Sequence, residues 1–278
     1  MRKILTAVAA SLAATMALTA CGGDTTEPAG TTSGAAGETA KVVVGASPVP
    51  HAKILEYIRD NLAADAGLEI EIKEFDDYVL PNEALASKEL DANYFQHLPY
   101  LESQIAEKGY EFTPGEGVHI EPLKLLSEKH TDVAGIPDGG TIVITNDVSN
   151  QYRGLKLLES AGLLEGLAED ATVLSLTDAE NPKGLKFEET QPEVVVQQVS
   201  DPKVDAAVIN ANFILTAGLD PNKAIASEQV AGNPYANMLV WRTGDESDAV
   251  KKLDELLHSD EVAEFIKTEW PGGDVIPG

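Results

Sequence analysis

The densest chemistry in this 278-residue chain lies in DANYFQHLPYLE, residues 91–102. Only seven Tyr, six Phe and five His occur in the whole sequence, yet Tyr94, Phe95, His97 and Tyr100 stand together here. A histidine among rings can be a catalytic base, a metal ligand, core filling or the wall of a small-molecule pocket. As a base, His97 needs a nucleophile or an orienting partner, and the sequence holds no G-x-S-x-G, H-E-x-x-H or G-x-G-x-x-G pattern. As a metal ligand it needs company, but His51, His97, His119, His130 and His258 are spread singly, without ligand spacing. A hydrogen-bonding pocket wall and plain core packing remain. The neighbouring rings would suit a thioether, which gains about 0.3–1.5 kcal/mol per aromatic contact.

Arg153, in NDVSNQYRGLKLLES, is the second group. With Asp147 or Ser149 as cap it falls in the first turns of a helix, where a guanidinium near exposed backbone N–H groups can grip a carboxylate. A solvated surface arginine is the plainer alternative. Asn146 and Asn150 precede it, and no acid follows within five residues. Asn146, Asn150, Asn210 and Asn237 can donate or accept, which suits an α-ammonium and carboxylate together; loop and cap duty accounts for each of them equally well.

These groups need a scaffold. KVVVGAS (41–47) reads as a buried strand, and the stripe Ile54, Ile58, Leu62 after Pro50 as a helix closed by Gly67. LEIEIKEF (68–75) alternates as a half-buried strand, LPNEALASKEL gives a short helix, DANYF a third strand, and PYLESQIAEKG a helix ended by Gly109. The pattern recurs in TIVIT (141–145), the helix that carries Arg153, and the strands ATVLSL and VDAAVIN. ANMLVWR (236–242) is a further strand, followed by two amphipathic helices. Alternation of this kind predicts an α/β protein of mostly parallel sheets flanked by helices, in two lobes. The crossings fall near VHIEPLKLL (118–126) and NPYANML (233–239). In such sheets ligands sit beyond the carboxyl ends of strands. Tyr78, Phe95 to His97, segment 146–153 and Asn210 with Asn212 all fall there or at the start of the next helix, and Asn237 lies at a crossing.

The N-terminus has the layout of an export signal: Arg2 and Lys3, an apolar run from Ile4 to Leu18, then LTAC, a lipobox ending in the sole cysteine, Cys21. One cysteine excludes an intramolecular disulfide. Residues 22–40 hold no aromatic or large aliphatic side chain and read as a flexible tether. The formal charge of −26 repels phosphate backbones, which argues against nucleic-acid partners.

In order along the chain, GASPVPHAKIL, FDDYVLPNEAL, DANYFQHLPYLESQIAEKGY, IVITNDVSNQYRGLKLLESAGLL, ENPKGLKF, DAAVINANF and NPYANMLVWR resemble the MetQ/NlpA family of methionine-binding lipoproteins, ABC-importer substrate-binding proteins. The resemblance implies a type II periplasmic-binding-protein-like fold of two hinged α/β lobes. Residues 1–20 would be signal peptide, 21–40 a lipidated tether, 41–123 with 236–278 one lobe, and 124–235 the other. It implies a monomer that binds methionine, no enzymatic activity, no cofactor and no metal. Its partners would be an ABC permease with its ATPase, and the membrane through acyl chains on Cys21, outside the cytoplasm. By position, Arg153 would clamp the α-carboxylate, Asn210 and Asn237 would hold the ammonium and carboxylate, and Asn150 would add a polar contact. Tyr78, Phe95 and His97 would line the side-chain pocket. Another small amino acid, a methionine-containing peptide and, more remotely, a metal ion are the alternatives.

Overall fold

A computed structural model describes residues 39–278. The signal, Cys21 and nearly all of the tether lie outside the described residues. Strand β1 (Ala40–Ala46) runs through one sheet and hands over, at the turn Pro48–Ala52, to helix α1 (Lys53–Asn61). Ile54, Leu55 and Ile58 give α1 its buried face. Strand β2 (Leu68–Glu74), helix α2 (Leu80–Ala86), strand β3 (Ala92–His97) and helix α3 (Leu98–Lys108) follow. Gly109 ends α3 at φ +71°, a left-handed C-cap that a side chain resists. Strand β4 (Phe112–Ile120) then carries the chain to β5 (Lys124–Leu126) in a second sheet.

The second sheet continues with β6 (Thr141–Thr145), α4 (Val148–Ser160), β7 (Lys186–Thr190), α5 (Pro192–Gln198), β8 (Ala206–Ile209), α6 (Ala211–Thr216) and β9 (Ala224–Ser227). Strand β10 (Ala236–Arg242) returns to the first sheet, and α7 (Asp248–Leu257), α8 (Asp260–Glu269) and β11 (Ile276–Pro277) complete it.

The strand orders are β11-β4-β10-β3-β1-β2 and β7-β6-β8-β5-β9. The two-lobed α/β expectation is met, with one refinement. The β2-β1-β3 and β7-β6-β8 sets are parallel, but β10, β4 and β11 in one sheet and β5 and β9 in the other pair antiparallel, so each sheet is mixed. The two strands by which the chain enters one sheet from the other, β5 and β10, each run against both of their neighbours.

ATVLSL is not a strand. Residues 171–176 are turns and irregular backbone, and Leu174 is 87% exposed. β6 pairs on one side with β8 and on the other with β7, in KFEET, an edge strand with exposed polar side chains whose composition hides it from a hydrophobicity reading. Among the described residues no helix is long and apolar enough to cross a membrane.

One core packs Val42, Val44, Ile54, Ile58, Leu239, Leu253 and Ile266 within the first lobe; another packs Leu125, Ile142, Ile144, Leu155, Leu158 and Val208 within the second. A third joins the lobes: Tyr78, Phe95 and Tyr100 meet Val143, Ile209, Phe213 and Ile214. The lobes are therefore closed on each other, and the closure buries apolar surface beside a polar hollow.

Candidate functional site

Between the lobes lies a small hollow lined by His51, Tyr78, Phe95, Gln96, His97, Tyr100, Glu121, Asn150, Arg153, Asn210, Ala211, Asn212 and Asn237. All seven residues singled out in the sequence, Tyr78, Phe95, His97, Asn150, Arg153, Asn210 and Asn237, stand on its wall.

Strand pairing sets the first wall. In the antiparallel registers Asn237 on β10 stands opposite His97 on β3 and His119 on β4, so three strands deliver three polar side chains in one row. His97 also caps α3: its Nδ1 accepts the Tyr100 backbone N–H at 3.2 Å. That bond fixes the tautomer, leaving Nε2–H to donate to Asn150 Oδ1 across the cleft at 3.1 Å. Burial, with the nearby Arg153 charge, pushes the His97 pKa down to about 3, so the ring is neutral and is a wall rather than an acid. Tyr78, Phe95 and Tyr100 form a mutual cluster with centroids 5.8–6.1 Å apart. Gln96 reaches the hollow, but Asn82 and Asn93 occupy its amide.

Helix starts set the second wall. Asp147 caps α4 by accepting from the Ser149 and Asn150 backbone amides, and its other oxygen accepts from Asn150 Nδ2 at 2.8 Å. Asn150 Oδ1 receives both His97 and Asn210 Nδ2, the latter at 2.9 Å, so its amide ties the lobes together. Asn210 immediately precedes α6 without capping it by its side chain, and Asn212 lies in the first turn of α6. Asn212 Oδ1 accepts the Tyr78 hydroxyl at 2.6 Å, a second cross-lobe bond. Asn146, by contrast, lies outside the hollow.

Arg153 is 3% exposed. It is not solitary: Glu228, far along the chain, accepts from its Nε at 2.9 Å and Nη2 at 2.5 Å, and the Glu121 carbonyl accepts from Nη2 at 2.8 Å. The Tyr235 ring lies 4.4 Å from the guanidinium carbon. The Nη1 group makes no hydrogen bond among the described residues.

The sequence reading missed His51, Glu121, Glu228 and Tyr235. His51 follows the carboxyl end of β1, so the strand-end rule that selected the others could have found it; Glu121 sits in a recognised crossing. No local signal ties Glu228 to Arg153. The histidines are also less dispersed in space than in sequence. His51, His119 and Glu121 place their ligating atoms within 4.8 Å of one another, the one such group among the described residues that could hold a metal ion. His119 Nε2 is hydrogen-bonded to Glu121 Oε1 at 2.9 Å, while His51 Nε2 lies 3.3 Å from the same oxygen and is hydrogen-bonded to Asn237 Oδ1 at 3.2 Å. Tyr94 stands behind the hollow, its hydroxyl bonded to His119 Nδ1.

The family model described as NlpA lipoprotein matches residues 42–278. The chain is 39% identical over 255 residues to the methionine-binding lipoprotein MetQ of Bacillus subtilis, covering 89% of this chain and 92% of that one. It is 34% identical over 274 residues to the D-methionine-binding lipoprotein MetQ of Escherichia coli, covering 97% and 96%. The solved structure of a nutrient binding protein from Burkholderia cenocepacia bound to methionine is similar with a TM-score of 0.79 at 38% identity, over 85% of this chain and 99% of that one.

Proposed function

The chain belongs to the NlpA lipoprotein family of ABC-importer substrate-binding proteins, and from that premise we propose that it captures free methionine between its lobes and delivers it to an importer. It is a lipid-anchored transport protein of the extracytoplasmic membrane face, not an enzyme. The permease and ATPase that receive the ligand are part of the proposal, as are the roles of individual residues.

The observation that carries this reading is a hollow between the lobes that brings a guanidinium, amides and a cluster of rings together. Arg153 Nη1 takes the α-carboxylate. Asn210 and Asn237 add polar contacts, and Asn150 helps through its remaining Nδ2 hydrogen. Tyr78, Phe95 and His97 enclose the thioether, whose polarizable sulfur favours aromatic edges. The cross-lobe bonds His97–Asn150 and Tyr78–Asn212 favour the closed arrangement, and ligand adds the differential contacts that closure needs. Closure also excludes water from the charged groups, which strengthens their interaction with a zwitterion.

A thermal-shift panel across amino acids of both hands tests this reading. Methionine should raise the melting temperature with a dependence on the logarithm of its concentration. Stabilisation by a different amino acid but not by methionine would contradict it.

A further inference from the structure

The chain passes between the lobes through two short crossings, 121–123 and 228–235. They are bonded to each other: Leu123 N donates to Glu228 Oε2 at 3.0 Å, and Glu228 N donates to the Leu123 carbonyl at 2.9 Å. Rotation of one lobe against the other has to be absorbed in these few residues.

A third segment touches this hinge without crossing it. After α8, Trp270 and Val275 are buried in the first core, and β11 lies along the end of β4, with Ile276 opposite Ile120 and Pro277 opposite His119. Gly278 N donates to the Val118 carbonyl at 2.8 Å. The backbone of 270–278 is thus fixed to the first lobe, but one of its side chains reaches the second. Asp274 Oδ1 lies 2.9 Å from Nζ of Lys124, the first residue of β5, which pairs with Ile209 and Ser227 inside the second sheet. The lysine and aspartate side chains are only 10% and 15% exposed. Of the lysine and arginine ion pairs among the described residues, this one alone links the first lobe to the second.

Two properties make the pair sensitive to lobe position. A charge-assisted bond at 2.9 Å has little slack, so turning β5 against β4 carries Lys124 away from a partner held on β4. A lysine withdrawn from water is also strongly unfavourable without its counter-charge.

We infer that Asp274 and Lys124 form a latch at the hinge, which holds the lobes shut over a captured ligand and sets how slowly that ligand leaves. This rests on the methionine reading above. Neither residue lines the hollow, so both are positioning residues that act on closure and not on the ligand itself. Opening breaks the bond and returns both charges to water; closing remakes it. Ligand enters the open cleft before the latch forms, so the latch slows release and leaves capture nearly unchanged.

Release of radiolabelled methionine, chased with unlabelled methionine, tests the latch in the unaltered protein, Asp274→Asn, Lys124→Gln and the double variant. Asp274→Asn should release methionine on the order of tenfold faster, with an association rate changed by less than about threefold. Lys124→Gln should act in the same direction, and either single variant decides the question if the other does not fold. The double variant should be no faster than the faster single one, because both changes remove the same interaction. Unchanged release in the single variants, with only the ligand-free unfolding midpoint lowered, would make the pair merely structural and overturn the inference. Additive acceleration in the double variant overturns it as well. If the unaltered protein binds no methionine, the functional reading fails together with the latch; if it binds and release is unaltered by the substitutions, the latch alone fails.

Discussion

The first lobe meets the hollow with a cluster of rings fixed by packing, beside His97 and Asn237 set by strand pairing, whereas the second meets it with amides and a guanidinium fixed by helix starts and hydrogen bonds. Phe95 is 4% exposed and belongs to the apolar cluster that joins the lobes, so the wall it forms is also part of the fold. Arg153 and Asn150 are equally buried, but hydrogen bonds to distant partners hold them. The apolar wall should therefore be costly to alter for stability, and the polar wall for binding. Recognition is least separable from folding at the ring cluster.

That contrast can be broken most directly at Phe95. Phe95→Ala removes a buried ring from the cluster between the lobes and should cost about 3–5 kcal/mol of ligand-free stability, read by denaturant unfolding. An unchanged unfolding midpoint would mean the rings are not structural.

Gly154 sharpens the comparison from the other side. A Cβ there would meet Ile144 Cδ1 and Val208 Cγ1 at 2.9 Å each, so the glycine lets α4 lie close on the second sheet. Gly154→Ala should cost about 1–3 kcal/mol by overpacking and, by shifting the helix that carries Asn150 and Arg153, should weaken methionine as well. Loss of stability without loss of affinity would show that the polar wall tolerates displacement.

Tyr78→Phe deletes the 2.6 Å bond to Asn212 while keeping the ring. It should lower methionine affinity by about fivefold, the equivalent of about 1 kcal/mol for one hydrogen bond. A larger loss would place the hydroxyl on the ligand itself.

pH acts on the ligand-free protein as well. Burial holds the pKa of His97 and His119 to about 3 and of His51 to about 4, below the unfolded value of about 6.5. As pH falls through that window the unfolded chain takes up protons that the folded one refuses, so stability is lost on acidification. Burial raises the pKa of Glu121 and Asp147, which acts in the opposite sense, because the folded state then binds their protons first. The three imidazoles should prevail, giving a melting temperature lower at about pH 5 than at about pH 7, with a shallower fall in His97→Gln. A flat profile would contradict the buried neutral rings.

How far the sequence reveals this molecule depends on how local each signal is. β1, β2, α3 and α4 are legible because periodicity and caps lie within the segments: LEIEIKEF alternates, and Gly109 and Asp147 bound their helices. β7 is hidden because an edge strand owes its place to β6 rather than to its own apolar content. The wall residues are legible through the strand-end rule, since a strand's carboxyl end is marked in sequence by the next helix. The pairing of Arg153 with Glu228 and the meeting of His51, His119 and Glu121 are not, because only the closing of the sheets and lobes creates them.

The central claim is that a zwitterion closes the lobes through Arg153, and calorimetric titration of methionine into the ligand-stripped full-length protein and Arg153→Ala tests it most directly. The account predicts saturable one-to-one binding to the unaltered chain and none to the variant at concentrations up to about a hundred times the unaltered dissociation constant, with the variant still folded. Equal affinity in the two proteins would contradict it.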